Sequence, residues 1–365
     1  MIRRVVALGF AVLATACVGP TVVTTRTEPA DVAGDGHAST LIREAFVTAL
    51  APDDNIDSIA TWISPEGDVW LIATAKETGR LVVFDGNDGR TLLHIGRPGA
   101  GAGEFSRPNG IAVFGDYVFV VERDNHRVQV LELPEFEPRG VLGADVLRSP
   151  YGLWLEETAP GRLALYVTDS FQPSDGAPPT QDVLSQRVRL FDVQLDFDDD
   201  VTASLVRSFG DIGAGAIVWI ESIVGDPLHG RLLIPEEFTE REPGEIRVYD
   251  LQGEYQQRDI GRGLFGGQPE GLALYDCADG SGYWIATDQQ EIGNRFHVFD
   301  RRSLIHIGTF SGETARFTDG VSLHPHATAR FPDGVFYAVH KDQGVVAFDW
   351  RDIAQSLALR PGCGD

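Results

Sequence analysis

The chain is short of cations, sulfur and long apolar runs. Its 365 residues hold 30 lysines and arginines against 54 aspartates and glutamates, a formal net charge of −24. That deficit excludes nucleic-acid binding, which depends on a basic footprint. Three cysteines cannot build a disulfide-dense scaffold, and none stands in a CxxC metal pair. There is no serine-nucleophile elbow, and no glycine loop opens a helix to cradle phosphate. The glycines of residues 99–103 precede a β unit and form a loop. Helical periodicity is confined to two short stretches, residues 41–50 and 350–357. The N-terminal apolar run, residues 5–14, is too short to cross a bilayer as a helix.

That run instead reads as an export signal. Arg3-Arg4 precede it, and Thr15-Ala16-Cys17 follow it in the manner of a lipobox, with Cys17 as the lipid-bearing residue. An exported protein is expected: a lipoprotein of the outer membrane or cell surface held through Cys17, or, if simply secreted, a periplasmic one. Residues 18–45 are polar and Thr-rich and read as a tether. The other two cysteines, Cys277 and Cys363, are either a disulfide pinning the C-terminal tail or two unpaired thiols.

Against these absences stands a repeat. An apolar run ending in Phe, Tyr or Leu recurs six times, closing at Phe84, Leu131, Phe191, Tyr249, Phe299 and Phe348, in steps of 47 to 60 residues. Four short strands with their turns need about 40 to 50 residues, so each step fits one propeller blade. The sequence therefore predicts an all-β, six-bladed propeller over residues 46–360. Residues 230–237, 282–289 and 334–339 are expected as inner strands. Residues 172–186 form a loop insertion, and the acidic residues 196–200 a hairpin tip. In the second unit, Gly103-Glu104-Phe105, the proline-led Arg107-Pro108-Asn109-Gly110-Ile111 and Asn125-His126-Arg127-Val128-Gln129-Val130 resemble an NHL repeat. Function belongs at the channel mouth, where every blade contributes side chains. Most of the acidic excess serves solubility; a few carboxylates are candidates for gathering metal ions.

Across residues 57–354 the order of landmarks resembles the β-propeller phytases. Asp57-Ser58-Ile59-Ala60-Thr61-Trp62 followed by Thr74-Ala75-Lys76 is similar to "DDPAIW … TNK". Pro150-Tyr151-Gly152-Leu153 is similar to "VYGF", Glu221-Ser222-Ile223 to the start of "EGMAAD", and residues 232–237 (LLIPEE) to "LYIAEE". Pro269-Glu270-Gly271-Leu272 with Gln289 mirrors "IEGL … SSQG", Thr318-Asp319-Gly320 repeats "TDG", and residues 348–354 match the closing "VPWERIA". The resemblance implies a calcium-dependent hydrolase of phosphate monoesters, phytate above all, acting as a monomer. It implies Asp57, Glu221, Glu236, Glu270, Gln289 and Asp319 as Ca²⁺ or bridging-water ligands, with Tyr151 in the same shell and Lys76 as a phosphate contact. Lys76, Tyr151, Glu221 and Glu236 would carry the catalysis.

The departures are as specific. Ser58 replaces an Asp, Gln268 an acid, Phe114 a phosphate-binding Arg, and Asp169-Ser170-Phe171 a turn that carries a Lys and a Glu. Arg123 and Arg127 are expected to restore lost positive charge. His324-Pro325-His326 reads as a surface pair. The alternative function is a non-catalytic, NHL-like propeller that binds a ligand or protein partner; a lactonase-type propeller is a third reading.

Overall fold

The computed structural model describes residues 38–173, 179–196, 200–237 and 244–363. The signal-like start with Cys17, most of the tether, and parts of the two long loops lie outside the described residues. Six sheets are arranged as blades. Their first strands are Ile56–Ile63, Pro108–Phe114, Pro150–Ala159, Val224–Asp226, Gln268–Asp276 and Val321–His324. The second strands are Val69–Ala75, Tyr117–Glu122, Arg162–Asp169, Arg231–Glu236, Gly282–Gln289 and Val335–His340. The six apolar runs of the repeat are the third strands, from Arg80–Asp85 in blade 1 to Gly344–Asp349 in blade 6. They are buried on both faces, between neighbouring blades, so they read as continuous apolar runs rather than alternating ones.

First strands touch first strands around a closed ring, so they line the channel. The strands expected to be innermost from their apolar character are therefore second strands; burial between blades, not proximity to the axis, makes them apolar. Ring closure also moves the tether boundary. Phe46–Val47 pairs with Gly344–Asp349 as the outermost strand of blade 6, and Thr40–Ile42 adds a parallel fifth strand to blade 5. Edge pairing thus overrides the helical period of residues 41–50. Trp350–Ser356 does form a helix, capped by the Asp349 side chain and buried through Trp350 and Ile353. Cys277 and Cys363 are joined as a disulfide.

At the start of each first strand the same three-residue pattern recurs: a polar residue, then Gly or Ser, then an aliphatic. The six sets begin at Asp57, Asn109, Tyr151, Glu221, Glu270 and Asp319. The small middle residue lets neighbouring blades touch backbone to backbone. A Cβ on Gly152 would meet the Glu221 carbonyl oxygen at 2.2 Å, and one on Gly320 the Asp57 carbonyl oxygen at 2.4 Å. Threonines from the second strands staple the ring: Thr74 Oγ1 accepts from Ser58 N and donates to Asn109 O at 2.7 Å, and Thr168 Oγ1 accepts from Gly152 N and donates to Glu221 O at 2.7 Å. In blades 1, 2, 3 and 5 the pairing register slips at this point, at 56/59, 108/111, 150/153 and 269/272. Such bulges re-aim side chains, here toward one end of the channel, the upper mouth.

Candidate metal and phosphate site at the upper mouth

The end of the second strand supplies a second ring: Lys76, Arg123, Ser170 and Glu237 just past it in blades 1 to 4, and Gln289 as its last residue in blade 5. The residue before each is structural. Glu122 Oε2 accepts from Ser106 N, Asp169 from the Arg148 and Ser149 amides, and Asp288 from the Gly266 and Gly267 amides. Glu236 is the blade 4 member of this set. Its carboxylate accepts from Val218 N at 2.6 Å and Trp219 N at 3.0 Å. Glu236 is thus engaged by backbone amides, and it is Glu237, facing the other way at the strand end, that stands with Glu221 and Glu270. The clue in sequence was the repeated acid itself, with Glu236 matching Glu122, Asp169 and Asp288.

Seven of the eight candidate residues converge. Lys76 Nζ lies 2.7 Å from Asp57 Oδ1 and 4.0 Å from Asp319 Oδ2. The Tyr151 hydroxyl donates to Asp57 Oδ1 at 3.2 Å, from 94 residues away. Gln289 Nε2 donates to Asp319 Oδ1. Glu221, Glu237 and Glu270 each bring a carboxylate oxygen to within 4.8 Å of the other two. Asp57, Glu237, Glu270 and Gln289 are buried, and the rest are partly covered. Asp342, beside Asp319, adds a sixth carboxylate that sequence reasoning missed.

Six carboxylates surround one ammonium, and the charge is out of balance. Burial, then the Asp57 charge, pushes the Glu221 carboxyl up to about 7, although hydrogen bonds from Tyr151 and Trp219 and the Lys76 charge pull it back. Glu237 is pushed well above the usual range by burial, then by Glu270 and Glu221, and Glu270 by burial, then by Glu221 and Asp319. Asp319 is raised likewise by burial and Asp57. Burial opposes the Lys76 charge, but Asp57 and Asp319 hold its ammonium above the ordinary value. Glu237 Oε1, Asp342 Oδ1 and both amide atoms of Asn109 are buried and find no hydrogen-bond partner among the described residues. Such groups cost free energy until a proton, a water or a cation meets them. Hard oxygen donors at this spacing fit Ca²⁺, which takes six to eight oxygens.

The cations expected near phosphate are engaged by other partners. Arg127 is buried, bonding Glu122 Oε1 at 2.6 Å and the carbonyls of Ala100, Gly101 and Glu104; it staples blade 2. Arg123 does follow the second strand as Lys76 does, but at the exposed rim, paired with Asp124. Phe114 ends its strand at the opposite, lower mouth, five residues or about 17 Å beyond Asn109. It therefore vacates no phosphate contact here. Phe171 lies under the Arg148 guanidinium, 3.7 Å from ring centre to carbon. His324 is half-buried at a strand end and pushed down to about 4 by burial, so the His pair is not wholly on the surface.

Blade 2 decides the comparison with known proteins. Residues 105–131 match the NHL repeat. That span covers Phe105 through the third-strand Leu131, and its Asn125, Arg127 and Gln129 all bond Glu122. No curated protein sequence matches the chain. Among solved structures, a chain of a nidogen/laminin complex is 17% identical, with 76% of this chain and 88% of that one covered and a TM-score of 0.49. A catalytically inactive virginiamycin B lyase from Staphylococcus aureus, with quinupristin, is 12% identical, covering 83% and 98%, at 0.48. Hydrazine synthase of Kuenenia stuttgartiensis is 14% identical, covering 86% and 97%, at 0.44. None of these likenesses bears on what this chain binds.

Proposed function

We propose that the upper mouth holds Ca²⁺ and hydrolyses phosphate monoesters in the manner of the β-propeller phytases, with an inositol polyphosphate as substrate. The observation that carries this reading is the set of three glutamates, from blades 4 and 5, whose oxygens lie within 4.8 Å of one another beside a single lysine. Glu221, Glu237 and Glu270 would hold the ion, with Asp57, Asp319, Asp342 and Gln289 supporting it. Calcium, when bound, supplies the positive charge that draws a polyanion to an acidic rim and acidifies a water for attack on phosphorus. Lys76, fixed by Asp57, offers its ammonium to a phosphate oxygen. Tyr151 keeps its proton, held on by burial and the surrounding carboxylates, and so acts as a hydrogen-bond donor. The signal-like start would place this chemistry outside the cytoplasm, anchored to a membrane if Cys17 carries lipid.

The test is phosphate release from phytate, with and without CaCl₂, by wild type and Glu270→Ala. Release that requires calcium and is abolished by the substitution supports hydrolysis. Release indifferent to both removes it. A second reading, a non-catalytic propeller that uses calcium to dock a ligand or partner, is favoured by one observation. Lys76 is the only cation within the carboxylate cluster among the described residues, and it is already paired with Asp57. Calcium binding without any turnover would select this reading.

A further inference from the structure

The channel has a second mouth. First strands run from the upper mouth past a constriction of Ile59, Ile111, Leu153, Ile223, Leu272 and Val321, where only about 100 Å³ of space remains. Beyond it the strand ends open into a wider cavity of about 480 Å³. The first strand of blade 3, Pro150–Ala159, is the longest of the described strands. Its far end forms one wall of this cavity.

About half of the wall is apolar, from Phe114, Trp154, Leu274 and Leu323 among others. Trp154 lies against Gly225, where a Cβ would meet its ring carbons at 2.2 Å, and leans on Tyr166 with ring centres 5.2 Å apart. The ring is thus held in place by backbone. Three carboxylates share the lining: Glu156, Glu157 and Asp276. Glu156 is partly buried and pairs with no cation among the described residues; burial alone raises its pKa. The one cation in the lining, Arg301, is unavailable. It is 3% exposed, and its guanidinium is taken by Asp226 at 2.8 and 3.1 Å and by the carbonyls of Cys277 and Ser281. An anion would meet three like charges and no free cation.

We propose that this lower mouth is a second binding site, for a small amphipathic cation: an alkyl- or arylammonium whose apolar body fills the cavity and whose charge meets Glu156. Aromatic faces and a partly desolvated carboxylate are the combination that selects organic ammonium ions over metal ions. The site is distinct from the upper mouth, because none of the residues clustered there lines it.

The test uses 2-phenylethylammonium as the probe, with phenylacetate, of similar shape and opposite charge, as its partner. Binding is followed by calorimetry and by tryptophan fluorescence. The full chain should bind the ammonium and not the carboxylate. Glu156→Gln, a change at a partly exposed position, should weaken binding about tenfold or more. Glu270→Gln and millimolar CaCl₂ should leave it unchanged. Equal binding of phenylacetate, no effect of Glu156→Gln, competition by calcium, or no binding of the ammonium at millimolar concentration would each overturn the proposal.

Discussion

Calcium affinity at the upper mouth should rise steeply with pH, and the structure sets the size of the effect. Metal ligands must be deprotonated. The Glu221 carboxyl is raised from its ordinary 4.5 to about 7. Its folded pKa therefore exceeds its unfolded one, and the metal-free fold loses stability as pH rises from 4.5 through 7, by up to about 3 kcal/mol from this group alone. Glu237, Glu270 and Asp319, also raised, extend the loss above pH 7. Calcium bound at the proposed site would remove this penalty by taking the place of the protons. His324 works in the opposite sense. Pushed down to about 4, it makes the fold gain stability between about pH 4 and 6.5. The observable is therefore a difference, in which the histidine contribution cancels. Urea-unfolding midpoints of metal-stripped protein are measured with and without CaCl₂ from pH 5 to 8. The calcium-induced stabilisation should grow by about 3 kcal/mol across that range, equivalent to at least a hundredfold in affinity. A calcium effect that is the same at every pH, or absent, would refute the reasoning.

Other consequences separate structure from site. Glu236→Gln should cost stability by weakening two amide contacts while leaving calcium affinity nearly intact, and Glu237→Gln should do the reverse; unfolding curves and calorimetry on both variants check this. Lys76→Met strips the partner from Asp57, which is 1% exposed, and should destabilise the metal-free protein by about 3 kcal/mol, with calcium recovering part of it. Gly152→Ala forces a Cβ to 2.2 Å from the Glu221 carbonyl oxygen and should lower the unfolding midpoint more than any surface substitution. Cys363→Ser opens a link across 86 residues and should lose up to about 4 kcal/mol in thermal unfolding.

The architecture was legible because propeller blades bury their third strands on both faces. Val188-Arg189-Leu190-Phe191 and its five counterparts announce themselves as apolar runs at blade spacing. The polar–small–aliphatic sets from Asp57 to Asp319 emerge as a repeat only in the fold, where close approach of neighbouring blades demands Gly or Ser. What the sequence hid were choices made by partners far along the chain. Two adjacent acids, Glu236 and Glu237, look alike until the amides of Val218 and Trp219 claim the first. Arg127 looks like a free cation until Glu122 buries it. Residues 41–50 carry a helical period, yet the open edges of blades 5 and 6 draw Thr40–Ile42 and Phe46–Val47 into strands. Phe114 sits at the wrong end of the channel for the role its alignment suggested, because a bulged strand of seven residues crosses the ring from one mouth to the other.

The central claim is that the glutamates of blades 4 and 5 share a divalent cation. X-ray diffraction from crystals grown in CaCl₂ and inorganic phosphate tests it most directly. Calcium should be found between Glu221, Glu237 and Glu270, with oxygens at about 2.3–2.6 Å and phosphate on its solvent side within reach of Lys76. Carboxylates that stay protonated and ion-free at saturating calcium would contradict the account.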